Sequence, residues 1–255
     1  GYRAGEIENR MVSLMDLGPT VMSLAGIQPP GHMDGKAFEG VFEQSPRKYI
    51  FGSADRFDEC TDMQRSVLDG RFVYIKNFMP ERPLIYRNKY REQIPMNKHL
   101  IELDSLDMLK GDAAYIFMKS KPIEELYDLE SDPYEVHNLA TDSIYSQKLK
   151  ELRVQLKKWQ TSIGDKGFVP EHELIETFWP NMKQPKTDDV LIITNEQNLI
   201  LSCKTEGASI GFQLGDDIGS KYWQLYTKPV EIKPNEKIRA RAIRIGYKAS
   251  NISNN

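Results

Sequence analysis

Cysteine is scarce in this 255-residue chain, which has only Cys60 and Cys203. That count excludes both a disulfide framework and a cysteine-rich zinc site, so both are read as free thiols. Long apolar stretches are missing too. The longest run is the six residues from Ala113 to Met118, against the roughly 20 that a membrane-spanning helix needs. Neither sign of charge dominates, with 34 basic and 37 acidic side chains leaving a net of −3. This balance argues against a nucleic-acid or membrane-surface role driven by bulk charge. The opening Gly1-Tyr2-Arg3-Ala4-Gly5-Glu6 has neither the basic flank nor the apolar stretch of a signal peptide, so it is silent on export and reads as a cut through a longer protein.

Catalytic signatures are lacking as well. There is no Gly-x-Ser-x-Gly elbow, no phosphate-binding Gly-Lys-Ser/Thr loop and no dinucleotide fingerprint. The four histidines are His32, His99, His137 and His172, none beside a convincing partner. The run His172-Glu173-Leu174-Ile175-Glu176 has the outline of a metalloprotease zinc helix, but Glu176 stands where the second histidine ligand is required.

The composition, by contrast, is 40% hydrophobic and 10% aromatic, enough for one large or two ordinary domains with real cores. Residues 11 to 26 read as a strand end running into a short helix, with Asp16 and Pro19 near its start and Gly26 past its end. The turn chemistry of Gln28-Pro29-Pro30-Gly31 and Asp34-Gly35 then predicts an irregular connection. Tyr49 to Ser53 reads as a strand. Met63 to Leu68 and Arg71 to Phe78, joined by Asp69-Gly70, read as a hairpin. A helix is predicted around Lys98 to Leu109 within a surface insertion, and Glu124 to Leu129 gives a further strand. Leu149, Leu152, Leu156, Trp159 and Ile163 recur at spacings of three and four, with Gly164 as the stop, which predicts a long amphipathic helix. A strand meander covered by one helix is an α+β arrangement. From Asp165 to Asp188, Pro170, Pro180 and Pro185 break any pattern and suggest a linker. Short β-rich runs from Val190 onward, parted by turn residues, suggest an all-β sandwich. The expected division is 1–165, a linker at 166–188, and 189–255.

The densest charged cluster is Asp55-Arg56-Phe57-Asp58-Glu59, after the Tyr49 to Ser53 strand, with Arg65 at the next strand. A loop at a strand end can aim such groups into a cleft. Arginine offers a planar fork that matches sulfate or carboxylate oxygens, while the acids can grip sugar hydroxyls. Arg56, Asp58, Glu59 and Arg65 are therefore the candidate substrate contacts. The alternative for the same residues is an intraprotein salt-bridge network.

Val12-Ser13-Leu14-Met15-Asp16-Leu17-Gly18-Pro19-Thr20-Val21-Met22-Ser23-Leu24-Ala25-Gly26-Ile27 resembles a stretch found late in sulfatases, and His32-Met33-Asp34-Gly35-Lys36-Ala37-Phe38 resembles the loop after it. Glu125-Leu126-Tyr127-Asp128-Leu129-Glu130-Ser131-Asp132-Pro133-Tyr134-Glu135-Val136-His137-Asn138-Leu139-Ala140 is similar to the late signature of the same family. The matches come in the right order and cover roughly residues 1 to 165. The tail, through Leu201 to Phe212, Trp223 to Thr227 and Ala240 to Tyr247, resembles the small immunoglobulin-like β domain appended to bacterial glycan-degrading enzymes. In that domain Trp223 and Tyr226 occupy strand positions, where core packing competes with stacking on sugar rings.

The sulfatase resemblance implies a calcium-dependent hydrolase with an alkaline-phosphatase-like core, attacking sulfate esters through a formylglycine made from Cys or Ser in a Cys/Ser-x-Pro-x-Arg motif. Here Cys60 is followed by Thr61-Asp62-Met63-Gln64, and Cys203 by Lys204-Thr205-Glu206-Gly207. No catalytic or metal residue is therefore carried over, and calcium and formylglycine are implied only for a complete enzyme. The expectation is the C-terminal portion of a bacterial sulfatase that closes the cleft for a sulfated glycan. Its partner would be an N-terminal catalytic core, and its location, implied by the family alone, periplasmic or secreted. The competing expectation is a non-catalytic glycan-binding or structural module.

Overall fold

The computed structural model describes residues 5–57, 59–195 and 197–255, with the side chain of residue 57 left aside. The chain divides into two compact units, Gly1–Gly167 and Phe168–Asn255. Each is mixed in content with antiparallel sheets and helices of modest number, consistent with an α+β class.

In the first unit a short 3-10 turn, Leu14–Asp16, runs directly into helix α1, Leu17–Leu24. The irregular connection after α1 is held to it by side chains rather than by a sheet. The Thr20 hydroxyl donates to the Asp16 carbonyl at 2.6 Å and accepts from the Phe38 amide at 3.1 Å, while the Ser23 hydroxyl accepts from the Phe42 amide at 2.8 Å. Next comes a four-stranded antiparallel meander in the order β1, Ile50–Phe57; β2, Cys60–Leu68; β3, Phe72–Asn77; and β4, Glu124–Asp128. Between β3 and β4 lie helix α2, Pro95–Ser105, and the single turn α3, Asp112–Tyr115. Helix α4, Ser146–Ile163, closes the unit.

The β2–β3 turn sits one residue later than Asp69-Gly70 predicts. The Asp69 amide donates to the Phe72 carbonyl at 3.1 Å, so Gly70 and Arg71 form the tip. Gly70 has φ of +97°, the sign that the first tip residue of a type II′ turn requires. The Asp69 carboxylate in turn accepts from the Arg71 and Phe72 amides.

Helix α4 buries Leu149, Leu152 and Leu156 against Val67, Tyr74 and Leu126 of the sheet. The Trp159 ring stacks on Phe51 with centroids 5.0 Å apart and planes at 2°. The last buried position of the stripe is Gln160 rather than Ile163, which is 53% exposed. The helix stops at the left-handed Gly164, and Ile163 points outward in its final turn.

In the second unit the stretch expected as a linker carries helix α5, Glu171–Phe178, and groups with the strands after it. Two antiparallel sheets share the unit's core. One has the order β5–β6–β9 (Leu191–Thr194, Asn198–Ser202, Val230–Glu231). The other runs β11–β10–β7–β8 (Ser253–Asn254, Ile238–Ile243, Ser209–Leu214, Gln224–Leu225). Alternation along β6 and β10 turns Leu199, Leu201, Ile238, Ala240 and Ala242 inward to meet Ile210 and Phe212. Tyr226 packs edge-on against Phe212 at 6.2 Å, whereas Trp223 lies over Gly211 with 37% of its surface exposed.

Candidate functional site

The charged cluster lies at the far end of the β1–β2 hairpin. Pairing is regular from Ile50↔Leu68 to Ala54↔Gln64, then shifts, and resumes at Arg56↔Thr61. Asp55 occupies the irregularity, which lets its carboxylate reach Arg65 on the neighbouring strand.

Arg65 is 1% exposed. Its Nε and Nη2 fork onto the two carboxylate oxygens of Asp165 at 2.8 Å each, and its Nη1 donates to Asp55 at 2.8 Å and to the Gln64 carbonyl at 2.7 Å. Asp165 accepts further from the Gln160 amide at 3.2 Å and the Gly167 amide at 3.0 Å. A side chain at position 167 would collide with the guanidinium. The fork is thus fully used inside the protein, tying β2 to the turn after α4. The Arg65 hydrogen bonds hold the Asp165 carboxyl down to about 2, and Asp165 in turn raises Arg65. Sequence spacing offers no sign of this brace, because its two ends are 100 residues apart.

Glu59 is exposed at the hairpin end and accepts from the Asn88 side-chain amide and the Lys89 backbone amide at 3.3 Å each. Backbone N–H donation, first from its own residue and then from Lys89, lowers its pKa. Arg56 is exposed on β1. Asp58 lies outside the described residues. The structure therefore brings Asp55, Arg65 and Asp165 together as a closed cluster, and leaves Arg56 and Glu59 at the surface of the same hairpin.

The insertion between β3 and β4 supports this end of the sheet. Arg82 Nη1 donates to the Thr61 carbonyl at 3.0 Å, Cys60 Sγ donates to the Arg87 carbonyl at 3.4 Å, and Lys121 pairs with Asp62. These groups supply charge and hydrogen bonds, but no nucleophile with an adjacent base.

A second cluster sits in the 12–27 stretch. The Asp16 side chain, 2% exposed, accepts from Arg47 Nε at 2.9 Å and from the amides of Ser13 at 2.9 Å and Lys36 at 2.7 Å. Burial pushes its carboxyl up, but the Arg47 fork and the two amides outweigh that and bring it to about 2. Asp16 is an anchor for the loop after α1, and its arginine partner is not marked by any local motif.

Cys203 Sγ donates to the Asp188 carbonyl at 3.2 Å, and both cysteines are partly buried free thiols. Among the described residues no group of three or more His, Cys, Asp or Glu side chains is arranged to hold a metal ion. The calcium implied by the resemblance thus finds no fitting donor set in these residues. Nor is any helix among them long and apolar enough to cross a membrane.

An α+β unit with sulfatase-like signatures, followed by a unit of two packed sheets, defines the class. No family model matches the chain. An ulvan-active sulfatase of Formosa agariphila is 40% identical over 244 residues, covering 94% of this chain and 41% of that protein. Human N-sulphoglucosamine sulphohydrolase is 28% identical over 177 residues, covering 64% and 35%. Among solved structures, a 2-O GAG sulfatase matches with TM-score 0.39 and 24% identity, over 59% of this chain and 25% of that one. The chain is homologous to sulfatases and corresponds to a sulfatase C-terminal region. It spans about two fifths of the length of its 40%-identical relative.

Proposed function

We propose that this chain serves as the C-terminal portion of a sulfatase that hydrolyses sulfate esters of glycans, ulvan-like polysaccharides among them. It would close one wall of the substrate cleft beside a separate catalytic portion. The observation that carries this is the apolar face left open on α1 and the 3-10 turn before it. Leu14, Leu17, Val21 and Leu24 recur at spacings of three and four and are 50–86% exposed, although they lie within the sulfatase-like stretch. Asp16, Thr20 and Ser23 hold the opposite side of the same segment to its own loop. A helix so fixed, with its apolar side outward, fits a larger neighbour such as the relatives' additional length would supply.

The sheet of residues 1–165 is the proposed cleft wall, with Arg56, Asp58 and Glu59 as substrate contacts and Arg65 as the brace that shapes their hairpin. Residues 189–255 are proposed to form an immunoglobulin-like sandwich reached through 166–188, with α4 as the helix that covers the first sheet. The catalytic portion would bring the calcium and formylglycine, and a periplasmic or secreted location fits a polysaccharide substrate. The test is Arg56→Ala in the enzyme that contains this chain. Loss of affinity or turnover on a sulfated glycan, with the melting temperature kept, is expected. Unchanged kinetics would remove the assignment.

A further inference from the structure

On the second unit, a depression of about 520 Å³ opens between α5 with the turn after it and the loop after β10. Its floor and rim are Phe178, Trp179, Met182, Arg244, Ile245 and Tyr247. Trp179 is positioned rather than loose, since its Nε1 donates to the Gly246 carbonyl at 3.0 Å and the Gln184 amide donates to the same oxygen at 3.2 Å. With its one donor pinned at the edge, the indole keeps 37% of its surface exposed. Across from it the Arg244 guanidinium lies over the Tyr247 ring, 4.8 Å from its centroid, and Nη1 donates to the Tyr247 hydroxyl at 3.1 Å.

The cation is what decides the occupant. Arg244 makes no ion pair with any described residue, and four of its five N–H donors have no acceptor among those residues. A purely apolar partner would bury that charge unpaired, which is costly. A saccharide presents both complementary features, an apolar C–H face for aromatic rings and oxygen acceptors at its edge, and a sulfate or carboxylate group suits the guanidinium fork. The volume falls in the range of about 300–1,000 Å³ usual for small-ligand sites.

We infer that this face of the second unit is a binding platform for an anionic saccharide, with the Trp179 ring as the stacking surface and Arg244 as the reader of the sulfate or carboxylate. This platform does not depend on the sulfatase assignment, and it uses none of the residues proposed as contacts on the β1–β2 hairpin. It needs no chemistry, only retention of a glycan chain.

The test is titration calorimetry of the full chain with a sulfated tetrasaccharide and its desulfated counterpart at low ionic strength. Saturable binding is expected, about tenfold or more tighter for the sulfated sugar, as a charge-assisted contact provides. Arg244→Gln should erase most of that preference while leaving the thermal midpoint within about 4 °C, because only one side-chain hydrogen bond and one cation–π contact are lost. Trp179→Ala should weaken both sugars. Absence of saturable binding, equal binding of the two sugars, or wild-type preference in Arg244→Gln would overturn the platform. So would self-association in sedimentation that Met182→Glu abolishes, since the face would then be a contact between copies.

Discussion

Arg65 and Asp165 show how a single buried pair can decide the behaviour of a whole hairpin. A guanidinium that is 1% exposed is tolerable only because two carboxylates and a carbonyl take four of its five N–H donors. Asp165→Asn would leave it without its main counter-charge, and a loss of about 3 kcal/mol in denaturant unfolding is expected. Arg65→Lys keeps the charge but not the fork, so it should rescue only part of the stability.

The acid response comes from the same kind of residue. Asp16 and Asp165 both fall from 3.8 to about 2 on folding. Carboxyls depressed in this way contribute stability that is fully present above about pH 4 and is lost as pH falls through about 2. The thermal midpoint should therefore drop between pH 4 and pH 2, and Asp165→Asn should flatten part of that drop. A midpoint that rises on acidification would contradict it. Of these anchors, Asp16 stood out in the sequence through its motif. Arg47 and Asp165 did not, because ion pairs across 31 and 100 residues leave no periodic trace. Arg65 was visible as a cation beside acids, and its spacing alone could not tell a ligand contact from a brace.

Among the elements, α4 was the most legible, since its leucines repeat at helical spacing and Gly164 marks the end. Periodicity did not reveal which residue takes the final inward place. Ile163 fits the stripe by hydrophobicity, but Gln160 is buried because its amide serves Asp165. Leu152, fully buried against the sheet, should cost about 2–5 kcal/mol as Leu152→Ala. Ile163→Ala, on an exposed position, should cost well under about 1 kcal/mol, and equal losses in urea titration would contradict the assigned stripe. The hairpin was equally readable from Asp69-Gly70, apart from the one-residue offset caused by Asp69 capping the turn with its own carboxylate. Helix α5 was not readable, because three prolines in 166–188 masked an eight-residue helix that starts immediately after one of them.

At the scale of the molecule, stability and accessibility point in opposite directions along α1. Its polar residues are bound to their own loop, so Val21→Asp should leave the melting temperature of this chain unchanged or slightly raised, since an exposed apolar group is removed. If α1 docks as proposed, the same substitution in a sulfatase containing this chain should lower thermal stability and activity together. The comparison discriminates a docking helix from an ordinary surface helix.

On the proposed function, S–O bond cleavage requires residues of the kind that the chain's longer, 40%-identical relative has in addition to the matched region. Ion-chromatographic measurement of sulfate released from a sulfated polysaccharide tests it most directly. The chain alone should release none above the no-protein control, while the enzyme containing it should release sulfate with turnover. Sulfate released by the isolated chain, in amounts exceeding one per molecule, would contradict the account.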